Sequence, residues 1–262
     1  MISCFLQGGL GNQLFQIATT ISYANDNDID PVFNFGTHFL PLQGNKANTY
    51  KENIYKNLKV IDEVSWGSFK IYNEPNFYYN KIPTNLSTNN ILLNGYFQSE
   101  KYFINCRKKI LNMVQPTKEI IKYMEKYKNL FSKKTCSVHI RRGDYLKFPK
   151  EHPVLSKEYY YNAFNEFDNE TNFLIFSDDI MWCKDNLKHH YLHFIDEKLD
   201  YINLYLMSLC DNNIIANSSF SWWGAWLNKN QNKKIIAPNV WFGENKKLET
   251  KDIIPPKKWK RF

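Results

Sequence analysis

What the sequence lacks narrows its class first. No apolar run approaches the roughly 20 residues that a membrane-spanning helix needs, although 43% of its 262 residues are hydrophobic. No CxxC pair occurs, and the five cysteines are an odd number. Cys4, Cys136 and Cys210 lie inside apolar runs, so buried free thiols in a reducing compartment fit better than a disulfide framework. The opening MISCFLQGGLGNQLF has no basic leader, and Gln7 and three glycines interrupt its apolar stretch, which excludes a signal-peptide reading. No repeat at solenoid or propeller spacing is present. With 17 Tyr, 19 Phe and 7 Trp, the chain is too aromatic for a disordered or low-complexity protein. One large or two compact soluble domains in the cytoplasm are expected. In such a chain the N-x-S/T triplets at Asn85, Asn169 and Asn217 are chance matches.

The chain does carry positive charge, a net +8 with a pI near 9.0. Nucleic acid, membrane surfaces and phosphorylated ligands are the partner classes this invites. Most lysines are scattered among Asn and Glu, as on a solvated face. The one dense cluster is the tail KKWKRF (257–262), read as a frayed terminus, with weak contact to an anionic membrane surface as the alternative. Neither zinc-finger spacing nor an RNA-binding aromatic signature is present, so nucleic acid is not expected.

Hydrophobic periodicity alternates between strand and helix. The runs at 2–7, 31–35 and 90–97 read as strands, and 12–24, 99–115 and 117–131 as helices. The pattern then restarts, with strands at 135–141, 172–177, 191–195, 212–217 and 233–238. Helices at 156–167, 178–187, 199–210 and 218–228 lie between them. Such alternation predicts parallel sheets covered on both faces. Two runs joined near 116–134 predict two α/β domains. In open parallel sheets ligands bind beyond the strand C-termini, and four motifs fall there.

The turn QGGLGNQ (7–13) joins a strand to a helix, so Gly9 and Gly11 would let backbone approach a ligand at a helix N-terminus. A tight turn without a ligand is the alternative. The dinucleotide motif would need glycine at Leu14, and a P-loop would need Gly-Lys-Ser/Thr. In SVHIRRGDYL (137–146), strand alternation would put His139 and Arg141 on one face, with Ile140 and Arg142 on the other. A guanidinium fork there suits phosphate or carboxylate oxygens. The bland alternative is an ion pair of either arginine with Asp144 or another acid. FSDDI (176–180) sets Asp178 and Asp179 at a strand end, where they could bond a base or sugar, chelate a metal or cap the next helix. Helix capping by Ser177 or Asp178 is the main alternative. In ANSSFSWWGAWL (216–227), hydroxyls and free backbone N–H groups meet where a strand becomes a helix, the makings of an anion site. Trp222, Trp223 and Trp226 are read as core residues. Two decoys are set aside: DNDID (26–30) as a solvated turn, and HHYLH (189–193) as a loop without the carboxylate of a zinc motif.

Together, QGGLGNQLFQ, HIRRGDY, FSDDI and NSSFSWWGAWL occur in an order that resembles the α-1,2-fucosyltransferases, from near residue 5 to about 240. The resemblance implies a GT-B fold of two facing Rossmann-like domains, with an acceptor-side domain at 1–125. It implies a GDP-fucose-binding domain at 126–262, whose tail could pack back on the first. It implies transfer of L-fucose from GDP-β-L-fucose to the 2-hydroxyl of a terminal galactose in a glycan, with inversion and without a metal or other cofactor. Arg141 would grip the β-phosphate, with His139 beside it near the nucleotide. Asn217, Ser218, Ser219, Phe220 and Ser221 lie in the stretch that matches the pyrophosphate segment. Asp178 or Asp179 would hold guanine. Asn12, with Gly9, Gly11 and Gln13 around it, would reach toward fucose and acceptor. Arg142 would brace the site, paired with Asp144; His139 and Asp144 would lie near the reacting hydroxyl, with neither assigned as its proton acceptor. Animal members carry a membrane anchor that this chain lacks, so a bacterial or viral source fits better. Two rivals share the motifs: a transferase using another GDP-sugar or hydroxyl, and a nucleotide-sugar binding protein without turnover.

Overall fold

The apolar run Ile2–Cys4 forms β1, buried on both faces, in a computed structural model. That model describes residues 1–36, 44–61, 66–84, 90–244, 252–253 and 259–262. The chain divides into two compact units, Met1–Thr117 with Glu249–Pro255, and Lys118–Leu248 with Pro256–Phe262. Among the described residues, no helix is long and apolar enough to cross a membrane.

In the first unit β1 leads into α1 (Leu10–Asp26), buried around most of its circumference, with the side chains of its buried Gln13, Gln16 and Thr20 bonded to backbone carbonyls. Two further strands, β2 (Lys70–Asn73) and β3 (Ile91–Asn94), complete a parallel sheet of order β1-β3-β2. β2 is a largely exposed edge strand, so it lacks the apolar run that marks a buried one. The 31–35 segment, expected as a strand, makes only isolated bridges from Pro31 to Ile2 and from Phe33 to Val60. The expected helix at 99–115 resolves into two 3₁₀ turns followed by α2 (Arg107–Met113). Asp252 lies with this unit, accepting from Tyr79 N at 3.0 Å and pairing with Lys101.

The second unit opens with α3 (Lys118–Met124), continued by a 3₁₀ turn to Phe131. It then alternates through β4 (Thr135–Ile140), α4 (Lys157–Phe164), β5 (Asn172–Ser177) and α5 (Ile180–Asn186). β6 (Leu192–Phe194), α6 (Asp200–Leu209), β7 (Asn212–Ile214), α7 (Ser219–Leu227), β8 (Ile235–Ala237) and β9 (Lys260–Arg261) follow. The sheet order is β6-β5-β4-β7-β8-β9, every pair parallel. From the fully buried β4, the chain builds outward through β5 and β6. It then crosses back to add β7 and β8 on the other side. The order therefore reverses between β4 and β7, where open α/β sheets bind ligands. One face of the sheet packs Val138, Ile140, Phe173 and Ile175 against Tyr160 and Phe164 of α4.

The C-terminal residues correct the frayed-tail reading. Lys260 and Arg261 pair with Ile236 and Ala237 of β8, Trp259 is buried, and Lys260 bonds Glu166 at 2.6 Å. The lysines at 257 and 258 lie outside the described residues.

A buried acid ties the start of this unit to its sheet. Glu197, just past β6, accepts from Tyr123 Oη at 3.0 Å, Lys126 Nζ at 3.1 Å, Tyr127 Oη at 2.8 Å and Leu199 N at 3.0 Å. Burial alone would raise its carboxyl; the Leu199 N–H, the tyrosine hydroxyls and Lys126 outweigh it and hold the group down to about 2. A depressed folded value gives stability that is complete above the ordinary range near 4.5 and lost as pH falls toward 2. Replacing Glu197 with glutamine should therefore cost on the order of 1–3 kcal/mol at pH 7. That deficit should shrink as the pH is lowered below 4, read from thermal unfolding of the two proteins.

Candidate active site

Three of the four motifs meet at the C-terminal edge of neighbouring strands β5, β4 and β7. β4 ends at Ile140, so the two arginines lie beyond it and strand alternation no longer dictates where they point. The turn that follows does. Arg141 Nη2 bonds Asp144 Oδ1 at 2.5 Å, and Nη1 lies 3.0 Å from Asp178 Oδ2. Its guanidinium also stands 5.3 Å from the centre of the Tyr145 ring. The Arg142 side chain turns elsewhere. Its Nε bonds Asp179 Oδ2 at 3.0 Å and its guanidinium stacks 3.8 Å from the Trp182 ring. The expected pairing of Arg142 with Asp144 is thus replaced: Arg141 takes Asp144, because the 3₁₀ turn Gly143–Leu146 brings position i+3 back over it.

Both carboxylates of FSDDI are engaged. Asp178 Oδ1 accepts from Arg142 N at 2.9 Å while its other oxygen faces Arg141. Asp179 caps α5, accepting from Trp182 N at 3.2 Å; the cap is therefore neither Ser177 nor Asp178. Gly143 is required by this crowding, since a Cβ there would lie 2.5 Å from Asp178 Oδ2.

His139 is 5% exposed, its ring 5.5 Å from that of Phe220, and its Nδ1 has no hydrogen-bond partner among the described residues. Burial, aided by the Arg141 charge, pushes its imidazole down to about 3. It is neutral at physiological pH and a feeble proton acceptor, which suits hydrogen bonding better than general-base work.

The stretch after β7 builds the opposite wall. Ser218 is the N-cap of α7, its Oγ accepting from Phe220 N at 3.3 Å. Asn217 is anchored from three sides, donating to Pro153 O at 3.0 Å and Trp241 O at 3.1 Å, while its carbonyl accepts from Tyr145 Oη at 2.9 Å. Asn217 Oδ1 is buried without a partner among the described residues. Ser219 opens the helix, half-buried beside Phe220. Ser221 departs from the expected role: it is 1% exposed and its hydroxyl turns back to the carbonyls of Ala216 and Ser218. Tyr145, to which the motifs assign no task, joins two of them, since its ring underlies Arg141 and its hydroxyl holds Asn217. Trp222, Trp223 and Trp226 pack inside, as expected.

In the first unit the glycine turn ends at Gly9, which caps α1, with its carbonyl accepting from Asn12 N at 2.9 Å and Gln13 N at 3.1 Å. Gly11 is buried in the first helical turn. Gln13 is a scaffold residue rather than a free one. Buried, it donates to Gly8 O and Asn45 O, both at 2.9 Å, and accepts from Tyr55 Oη at 3.2 Å. Asn12 stays half-buried and accepts from Gln98 Nε2 at 2.9 Å.

Comparison with known proteins supplies the family and the fold. The family model "Glycosyl transferase family 11" matches residues 6–260. The chain is 31% identical to the O-antigen biosynthesis glycosyltransferase WbnK of Escherichia coli, over 96% of this chain and 98% of that one. It is 30% identical to an alpha-1,2-colitosyltransferase of the same species, over 98% and 97%. A galactoside 2-alpha-L-fucosyltransferase of Caenorhabditis elegans is 26% identical over 100% of this chain and 79% of its own. Among solved structures, fucosyltransferase NodZ from Bradyrhizobium matches with TM-score 0.53 at 14% identity, covering 85% and 92% of the two chains. POFUT1 in complex with GDP-fucose matches with TM-score 0.51 at 13% identity, covering 89% and 96%. The fold is the GT-B fold of these fucosyltransferases.

Proposed function

Because the chain belongs to glycosyl transferase family 11, and is therefore a glycosyltransferase, we propose that it moves L-fucose from GDP-β-L-fucose to the 2-hydroxyl of a terminal galactose, with inversion. The observation that carries this reading is the Arg141 guanidinium at the topological switch point, beside the capped N-terminus of α7 on the next strand. As the galactose hydroxyl attacks the anomeric carbon, the bond to GDP breaks on the opposite face and negative charge grows on the β-phosphate. Arg141 and the backbone N–H of Ser219 would meet that charge, the Phe220 N–H being taken by the Ser218 cap. A guanidinium has five N–H donors, so the bonds to Asp144 and Asp178 leave others for a phosphate. This division gives charge neutralisation to the protein, with no metal needed. His139, neutral and with Nδ1 lacking a partner among the described residues, would hydrogen-bond the nucleotide, and an acid of the Asp178–Asp179 pair would meet guanine.

The colitosyltransferase relative favours a second donor reading, in which the same site takes colitose in place of fucose. One experiment tests both. GDP release is measured in EDTA with each GDP-sugar, with and without lactose. Lactose-dependent release from GDP-fucose that survives EDTA is the expected result. Release only from the colitose donor would move the substrate. Tight donor binding without release to lactose or to a panel of galactosides would leave a binding protein.

A further inference from the structure

The loop after β3 in the first unit carries a side chain that the roles above leave unused. Gln98 is 7% exposed and its Nε2 donates to Asn12 Oδ1 at 2.9 Å. Its own Oε1 is buried with no partner among the described residues. A buried amide left half-satisfied calls for an explanation.

The backbone that delivers it is held in an uncommon shape. Phe97 has φ 51°, in the left-handed region that a bulky residue rarely adopts. Glu74, just past β2, fixes it there: Oε2 accepts from Tyr96 N at 2.7 Å and Phe97 N at 2.9 Å. The Tyr102 hydroxyl bonds the same carboxylate and accepts from Asn80 N at 3.1 Å. Burial raises this carboxyl to about 6, against the pull of those hydrogen bonds, so placing an acid here is not free. Gly95 admits it, because a Cβ at that position would collide with Glu74 Cβ. Strain over-determined in this way concentrates where a side chain must be aimed.

What Gln98 aims at is an amide with two different ends. Asn12 offers one oxygen acceptor and two N–H donors. With its oxygen occupied by Gln98, the carboxamide cannot turn over freely, and the NH₂ group is the end left to a ligand.

We propose that Gln98, delivered by the Glu74-held loop, is a positioning residue that fixes Asn12 with its NH₂ group presented to a sugar oxygen of the substrate. The inference rests on the reading above that Asn12 meets fucose or acceptor. It makes Gln98 act through Asn12 alone, with no part in holding the nucleotide.

The test uses the full chain with Gln98→Ala, Gln98→Glu, Asn12→Ala and the double change to alanine at both positions. GDP affinity and melting temperature are measured beside lactose-dependent GDP release. Gln98→Glu is the sharper probe: a carboxylate can only accept, so it would bond Asn12 Nδ2 and turn the amide end for end. Each Gln98 variant should lose on the order of 10- to 100-fold in kcat/KM with GDP affinity unchanged, and the double variant should be no worse than Asn12→Ala. Additive losses, or a Gln98→Glu enzyme as active as the wild type, would overturn the proposal. If the alanine variant unfolds, the glutamate variant alone decides. A wild type that transfers no sugar overturns the functional reading first and this proposal with it.

Discussion

Arg141→Ala should lower transfer 100- to 1000-fold, about 3–4 kcal/mol of transition-state stabilisation, while the protein stays folded. The second half of that expectation comes from where the residue sits. Its side chain is 30% exposed, and the two acids it bonds, Asp144 and Asp178, are 25% and 24% exposed. Removing the guanidinium leaves both within reach of water, and Asp178 keeps its bond from Arg142 N. The deletion therefore avoids the large cost of stranding a fully buried charge. The proposed transfer would have no such relief, because the leaving diphosphate would gain charge as its bond to the sugar breaks and a methyl group would offer it nothing. Arg141→Lys should recover part of the loss: it restores a positive charge without the planar fork that can face two carboxylates and a phosphate together. Steady-state GDP release and thermal unfolding of the three proteins read the two halves separately. A fall of only a few-fold with alanine would mean that the charge is met elsewhere.

Arg141 also marks where local sequence stops dictating geometry and tertiary contacts take over. An arginine at a strand end, ahead of a serine-rich helix start, is legible in the sequence because both motifs follow apolar runs with strand periodicity. So is the alternation of the second unit, where each buried strand is a compact apolar segment. Which acid each arginine takes is not. Alternation stops at Ile140, and the 3₁₀ turn that brings Asp144 back to Arg141 depends on Gly143, whose missing Cβ makes room for Asp178. β2 carries no strand signal because three of its four residues are exposed. The 99–115 stretch has helical apolar spacing yet breaks into short turns at Phe103, whose φ of −145° leaves the helical region. Gln98 follows a legible strand, but only Glu74, far back along the chain, makes its position meaningful. Tertiary partners, absent from any local window, decide the first and last of these cases.

The serine-tryptophan segment gives the second large effect, on stability rather than chemistry. Trp222 is fully buried, its ring edge-on to Trp223 at 5.3 Å, stacked with Trp226 at 6.2 Å and 5.5 Å from Trp259. Trp222→Ala should cost about 3–5 kcal/mol, a large part of the roughly 5–15 kcal/mol that holds a folded domain together. The urea midpoint should fall accordingly. The loss should reach the C-terminus too, because Trp259 directly precedes β9, and the cavity would remove one wall of its packing. Ser218→Ala is the contrast at the other end of the same motif. Losing its cap bond to Phe220 N should cost only about 1 kcal/mol, and under the proposed function transfer should fall as the helix start that would face the phosphate loses its order. The two substitutions thus exchange effects: one loosens the fold with chemistry intact at low temperature, the other impairs chemistry in a stable fold. A Trp222→Ala protein that is folded at low temperature yet inactive would show that the aromatic cluster does more than seat the helix, and that ordering the phosphate site depends on the packing beneath it.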